Sequence, residues 1–262
     1  MNFMNTPMSS TPLRFKRWLL YPVLTLCASS AWSQSNSDSS SGVPDGPLLR
    51  PAPGFSQWVI TYSYAEDRAP KPTVAPGQAP LPTPAFVLAR PRTIVTTKTG
   101  SIVHELVTDL QQHERENWYV GARQYRKDQD SPVWLEYEPD PHPDIHYSPL
   151  PANGFRDLDW ISSRTYSGRA SQAGQSCLVF KTTEKVKSLD SALPLGKEYA
   201  LVAYIDAKTR LPVEVDIDKE TRTYQFDSPP SGMQALPDDL TRQIKTAAAG
   251  RAIMSQQAAR PF

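Results

Sequence analysis

The chain contains few of the residue types on which enzymes and disulfide-stabilised proteins depend. Its 262 residues include only two cysteines and four histidines. The nucleophile-elbow, Walker, zinc-protease, CxxC and dinucleotide-binding motifs do not occur in it. The sequence therefore predicts a protein that is not an enzyme, that carries no cofactor, and whose hydrophobic core alone holds the fold together.

The chain also lacks an excess of charge of either sign. It has 28 basic and 27 acidic residues, a formal charge of +1. Without the three basic residues in 1–33, 25 basic and 27 acidic residues remain, a formal charge of −2. A nucleic-acid partner would require a basic face, and an anionic membrane surface would require a polybasic patch. The composition excludes both kinds of partner.

Long hydrophobic runs are absent except near the amino terminus. The apolar run Trp18–Ala31 follows Arg14, Lys16 and Arg17 and ends close to small residues. This is the pattern of a secretory signal peptide, which we place at 1–33. The run is shorter than the ~20 residues that span a bilayer. We therefore expect an exported protein, periplasmic or extracellular, with no transmembrane segment in the mature chain.

The two cysteines lie in very different surroundings. Cys27 falls within the signal and could mark a lipoprotein, but Leu26 stands where such signals carry a small residue. Cys177 lies in the run Ser176–Phe180, which is apolar on both faces of a strand. This favours a buried, unpaired thiol, and the alternatives are a reactive thiol or an intermolecular bridge.

Proline and serine mark the segments between regular elements. Residues 34–56 are rich in both and predict a flexible linker. The β-rich domain is placed at 57–250, with a proline-rich insertion at 69–85 and a frayed tail at 251–262. The insertion predicts a surface loop of polyproline character, and a docking role for it is the alternative.

The clearest structure lies in Tyr199–Phe226, where short polar turns separate three apolar or alternating runs. This pattern predicts an antiparallel meander, because parallel pairing would need long crossovers. Gln57–Tyr64 predicts another strand, and Arg92–Thr97 with Ser101–Val107 predicts a hairpin. Helical spacing of apolar residues across 101–114 leaves a helix there as the alternative.

Further strands are predicted at Glu116–Gly121, with a continuation to Tyr125, and at Pro132–Tyr137, whereas 168–175 is predicted to be a loop. Pro237–Ala249 predicts a short carboxy-terminal helix that ends at Gly250. The fold class is therefore mainly β, a single curved antiparallel meander sheet, half-barrel-like, with a short carboxy-terminal helix.

One cluster could hold a metal ion. Asp140, His142, Asp144 and His146 alternate acid and imidazole ligands of the kind that zinc accepts. Their spacing fits no established motif, and the prolines between them are typical of a solvated loop. We predict no metal site, and a metal-dependent enzyme using His142 and His146 is the alternative.

The segment Tyr204–Glu214 (YIDAKTRLPVE), followed by Tyr224-Gln225-Phe226 and Leu236-Pro237, resembles the periplasmic lipoprotein-carrier superfamily. These are the half-barrels that sort outer-membrane lipoproteins. The resemblance covers about the last third of the chain. It implies a half-barrel fold and the binding of an apolar ligand.

Aromatic residues on the predicted strands supply the candidate binding site. Trp58, Trp118, Trp134 and Tyr204 would line the concave face of a curved sheet, where an acyl chain could lie. We therefore expect an exported, non-enzymatic protein that binds an apolar or lipid-like ligand. The alternative is a structural or interaction protein of the cell envelope that binds no small ligand.

Overall fold

The computed structural model describes residues 42–68, 88–137, 154–155, 158–185 and 197–258. Several predictions lie outside these ranges: the signal peptide 1–33, the proline-rich insertion 69–85, and the candidate metal ligands around His142 and His146. Within the described ranges, no helix is both long enough and apolar enough to cross a membrane.

The described residues form one open antiparallel sheet of eleven strands. The strands are β1 (Phe55–Tyr64), β2 (Pro91–Thr99), β3 (Ile102–Asp109), β4 (Glu114–Val120), β5 (Arg123–Asp128), β6 (Leu135–Tyr137), β7 (Tyr166–Gln172), β8 (Gln175–Lys185), β9 (Glu198–Asp206), β10 (Pro212–Ile217) and β11 (Glu220–Asp227). A one-turn helix α1 (Ala65–Arg68) follows β1, and helix α2 (Asp238–Ala258) follows the sheet. The predicted fold class, mainly β with one antiparallel sheet and a carboxy-terminal helix, is confirmed.

The strand order is β6-β5-β4-β3-β2-β1-β11-β10-β9-β8-β7. Every neighbouring pair is consecutive in the chain except β1 and β11, which join two runs of consecutive strands at the centre of the sheet. The edge strands β6 and β7 are consecutive in the chain yet lie at opposite edges. The sheet is therefore a meander interrupted once, between β6 and β7.

The side chains of each strand alternate between the two faces of the sheet, because successive residues point to opposite sides. The face that carries Trp58 and Ile60 is called here the first face, and the face that carries Val59 is called the second face. On the first face, strands β1–β3 and β7–β11 build the larger hydrophobic cluster, which includes Phe180, Ile205 and Val215.

Two segments without regular structure cover this larger cluster. Ala52, Phe155 and Leu158 are buried in it, and Leu48 and Leu49 pack against it. The Phe155 ring meets the Trp58 ring edge to face, with 5.5 Å between centroids. The predicted linker 34–56 is therefore wrong for its described part near residues 48–52, because its apolar side chains are held on the sheet.

A smaller cluster lies on the second face, beneath helix α2. It consists of Trp118, Tyr125, Trp134 and Leu240. Asp239, in the first turn of α2, accepts hydrogen bonds from Lys127 Nζ at 2.9 Å and from Trp134 Nε1 at 3.0 Å. The helix is thus anchored to the β4–β6 end of the sheet.

Several local predictions need correction. The helix alternative over 101–114 is wrong, since β3 and the start of β4 occupy it. The predicted strand that continued to Tyr125 is two strands, because Gly121 adopts a positive φ of 62° and turns the chain. The predicted loop at 168–175 is largely β7, and the helix passes through Gly250 to Ala258 instead of fraying.

The prediction for Cys177 is confirmed. Its side chain is fully buried and the thiol is free. Burial raises the pKa of the Cys177 thiol, with the Asp206 carboxylate acting in the same direction. A buried thiol with a raised pKa is a poor nucleophile, so Cys177 acts as a small hydrophobic residue.

Candidate functional site

The structure does not bring the four predicted ligand-binding residues together. Trp58 lies in the larger cluster on the first face, and Trp118 and Trp134 lie in the smaller cluster under α2. Their exposed fractions are 1%, 2% and 5%. Tyr204 lies on the second face of β9 and is half-buried. Ligand binding by these four residues stays a prediction, and three of them are already covered by the protein's own side chains.

The second face does carry a short aliphatic row. Val59 pairs with Val95 across β1 and β2, and Val95 pairs with Leu106 across β2 and β3. All three side chains are half-buried. On β10 and β11 the same face is polar, with Glu214 and Thr223 paired opposite each other. The row is therefore narrow and interrupted.

A small pocket is formed at one end of the first face. Its volume is about 140 Å³, and it is lined by Tyr64, Glu66, Arg90, Lys197, Tyr199, Asp218, Lys219 and Glu220. Strand register creates it: Tyr64 at the end of β1 lies opposite Glu220 at the start of β11. The turn between β10 and β11 is fixed on both sides, since Asp218 N donates to Ala200 O and Ala65 N donates to Lys219 O.

One lining residue, Glu220, belongs to a buried ion pair. Arg222 Nε donates to Glu220 Oε1 at 2.5 Å. Glu220 is only 2% exposed, and its second oxygen, Oε2, has no hydrogen-bond partner among the described residues. Burying a carboxylate oxygen without a hydrogen-bond donor costs up to several kcal/mol of folding free energy. Glu220 therefore favours a ligand that brings a hydrogen-bond donor.

Two tyrosines also line the pocket. Tyr64 is buried and donates from its hydroxyl to Pro91 O at 2.7 Å. Tyr199 is 4% exposed, and its hydroxyl has no partner among the residues that the structure describes. Burial raises the pKa of both tyrosines, helped by Glu220 at Tyr64 and by Asp218 at Tyr199. Both hydroxyls therefore stay protonated and keep their donor capacity.

Arg90 lines the pocket and contacts two of its other lining residues, Glu66 and Tyr64. Its NH1 contacts Glu66 Oε2 at 2.8 Å, and its guanidinium carbon lies 5.2 Å from the centre of the Tyr64 ring. Its Nε is buried without a hydrogen-bond acceptor in the described structure. Lys197 lies over the Tyr199 ring, with Nζ 5.2 Å from the ring centre. The pocket thus offers an acceptor from Glu220 and donors from Arg90, Tyr199 and Lys197.

The pocket is lined by charged and aromatic side chains and contains neither histidine, cysteine nor serine. In the described part of the chain, no three His, Cys, Asp or Glu side chains are grouped as a metal site would require.

Comparison with known proteins gives no family. No protein-family model matches the chain, and no curated protein matches it. The chain is similar to the crystal structure of the Mycobacterium tuberculosis lipoprotein LppX. The two sequences are 10% identical, the match covers 69% of this chain and 88% of the LppX chain, and the TM-score is 0.36. LprF from Mycobacterium bovis is 12% identical, covering 71% and 90%, with a TM-score of 0.36. Similarity at this level establishes neither a shared fold nor a shared function.

The sequence analysis missed this pocket, although one signal was present. In β11, Glu220 and Arg222 alternate in phase with Tyr224 and Phe226, so two charged residues fall on the apolar face of the strand. Charged side chains are almost never fully buried unless they are paired. Two charged residues at the core-facing positions of β11 were therefore the available indication of a polar site.

Proposed function

We propose that this chain is an exported, non-enzymatic binding protein that holds a small polar molecule in the pocket at the end of the first face. One observation carries the proposal: Glu220 and Tyr199, both more than nine-tenths buried, line one pocket and each keep a polar atom without a partner in the described structure. A ligand that bonded to both would relieve two desolvation penalties at once.

The size of the pocket limits the ligand. A cavity of about 140 Å³ is smaller than the ~300 Å³ at which drug-sized sites begin. It is comparable to the ~150 Å³ cavity that accommodates benzene in another protein. A ligand held wholly within this open pocket is therefore a small metabolite.

Native mass spectrometry of protein purified from its own host tests this proposal. We expect an added mass of a small polar molecule on the wild-type protein and its loss from the Tyr199→Phe variant, which removes only the hydroxyl. Tyr204→Phe is the matched control, because Tyr204 lies on the same strand but on the opposite face. An unliganded wild-type protein that takes up nothing from a host metabolite extract would contradict the proposal.

The second candidate is an apolar ligand on the sheet, as the sequence predicts. The observation that favours it is the half-buried row Val59, Val95 and Leu106, which lies outside the smaller cluster under α2. Titration with a fluorescent fatty acid tests it, comparing the wild type with Val95→Thr and with Val133→Thr, an exposed site elsewhere. Saturable binding that only Val95→Thr weakens would favour the apolar ligand. Failure of both binding tests would favour the structural role in the envelope.

A further inference from the structure

The charged side chains that line the pocket are evenly divided between the two signs. Arg90, Lys197 and Lys219 supply three cations, and Glu66, Asp218 and Glu220 supply three carboxylates. A ligand with a large net charge would meet as much repulsion as attraction in such a site. A molecule without net charge is therefore favoured.

The buried atoms impose a second requirement. Glu220 Oε2 needs a hydrogen-bond donor, whereas Arg90 Nε needs an acceptor. Hydrogen bonds with an ionised donor or acceptor are about twice as strong as those between neutral groups. An ammonium group is the strongest donor for Glu220, and a carboxylate is the strongest acceptor for Arg90. Lys197, which reaches over the Tyr199 ring, adds positive charge at the rim.

We infer that the ligand of this pocket is a small zwitterion, an amino acid in the broad sense, whose ammonium group is held by Glu220 and whose carboxylate is held by Arg90 and Lys197. The inference rests on the proposed function and adds the chemical class of the ligand. Its size follows from the cavity of about 140 Å³, which admits a molecule of roughly benzene size.

Isothermal titration calorimetry on the intact protein at low ionic strength tests whether the pocket prefers a zwitterion. The probes are glycine, alanine, serine and γ-aminobutyrate, together with butyrate and butylamine, which lack one charged group each, and erythritol, an uncharged polyol. We expect at least one amino acid to bind about tenfold or more tightly than butyrate, butylamine and erythritol, as the loss of one charged hydrogen bond implies. Equal or tighter binding of any of those three would overturn the zwitterion assignment.

Two variants test the orientation of the ligand, here with γ-aminobutyrate as the probe. In Glu220→Gln, the preference of the protein for γ-aminobutyrate over butyrate should fall from about tenfold to near unity. In Arg90→Gln, the preference for γ-aminobutyrate over butylamine should be lost instead. Glu214→Gln is the matched control, since Glu214 lies on the opposite face of the neighbouring strand β10. Unchanged preferences in both pocket variants would overturn the assignment.

Glu220→Gln leaves Arg222 buried beside a neutral amide and could impair folding, so Tyr199→Phe is measured as well. This variant should weaken every bound amino acid without changing the preference over butyrate. A result in which native mass spectrometry finds a bound molecule, but none of the amino acids binds, overturns the zwitterion and leaves the proposed function standing. Absence of binding in both experiments overturns both.

Discussion

His104 is held on the second face by contacts on both ring nitrogens. Nδ1 lies 2.9 Å from Gln234 Nε2, and Nε2 lies 2.9 Å from Glu116 Oε1. The ring also stacks on Trp118, with 4.3 Å between centroids. Because Gln234 precedes helix α2, this histidine connects β3 to the segment that leads into the helix. Burial lowers the pKa of His104 and outweighs the opposing effects of Glu116 and Glu105.

This lowered pKa predicts a pH dependence of stability. Between the folded pKa of His104 and its unfolded value of about 6.5, the unfolded chain binds more protons. His104 therefore destabilises the fold as pH falls through about 6.5, and stability is fully retained above that value. Urea unfolding at pH 7.5 and pH 5.5 should show a smaller loss for His104→Gln than for the wild type. His113→Gln is the control, since His113 is exposed. An identical loss of stability between the two pH values in His104→Gln and in the wild type would contradict the prediction.

At the scale of single elements, β10 offers a test of the two faces. Val215 is 1% exposed in the larger cluster. Val215→Asp should lower the free energy of unfolding by about 3 kcal/mol or more, because it buries an unpaired charge. Glu214, on the other face, accepts a hydrogen bond from Gln172 Nε2 at 2.6 Å. Glu214→Lys should cost only about 1 kcal/mol. Chemical denaturation measures both, and equal losses would mean that the faces are assigned wrongly.

Helix α2 depends on Asp239 for its attachment. Hydrogen bonds from Lys127, Trp134 and the Leu240 amide lower the pKa of Asp239 from 3.8 to about 2. The stabilisation is therefore complete above pH 4 and is lost as pH falls toward 2. Asp239→Asn should lower the free energy of unfolding by about 0.5–1 kcal/mol at pH 7, a modest value because the side chain is partly exposed.

Thermal unfolding of Asp239→Asn at pH 7 and pH 3 checks this prediction. The difference from the wild type should be smaller at pH 3. Asp238→Asn is the matched control, because Asp238 occupies the same first turn of α2 but is exposed. A loss as large in Asp238→Asn would assign the effect to the helix dipole instead of to the contacts with β5 and Trp134.

Strands with a clear pattern were predictable, and those without one were not. The meander β9–β11 shows alternating apolar residues and polar turns, and it forms as predicted. Strand β7 (YSGRASQ) lacks branched aliphatic residues and contains a glycine, so its sequence resembles a loop. It is a strand because β8, which follows it across the two-residue turn Ala173-Gly174, offers its backbone as a partner.

At the scale of the whole molecule, the sequence predicts export. The amino-terminal pattern places cleavage after Ser33, and no structural observation bears on it. Amino-terminal sequencing of protein recovered from the exported fraction of its host should begin near Gln34. Recovery of a chain that still begins with Met1 would contradict a cleaved signal peptide.

The pocket could not be predicted from the sequence, because it depends on how distant strands pair in the whole sheet. Its lining comes from four separate stretches of the chain, near Tyr64, Arg90, Tyr199 and Glu220. Only the pairing of β1 with β11 brings Tyr64 opposite Glu220. The aromatic residues, by contrast, were recognisable as strand residues, but their burial in two clusters depends on segments that lie far away in the sequence.

The central position of β1 has a consequence for the order in which the protein can be assembled during synthesis. Strand β1 is made first and soon receives β2, but its other edge pairs with β11, the last strand to leave the ribosome. Until then, the nascent chain presents a long unpaired strand edge, the kind of surface on which chains aggregate. Completion of the fold must therefore wait for the final strand, and chains truncated before β11 keep that edge permanently exposed.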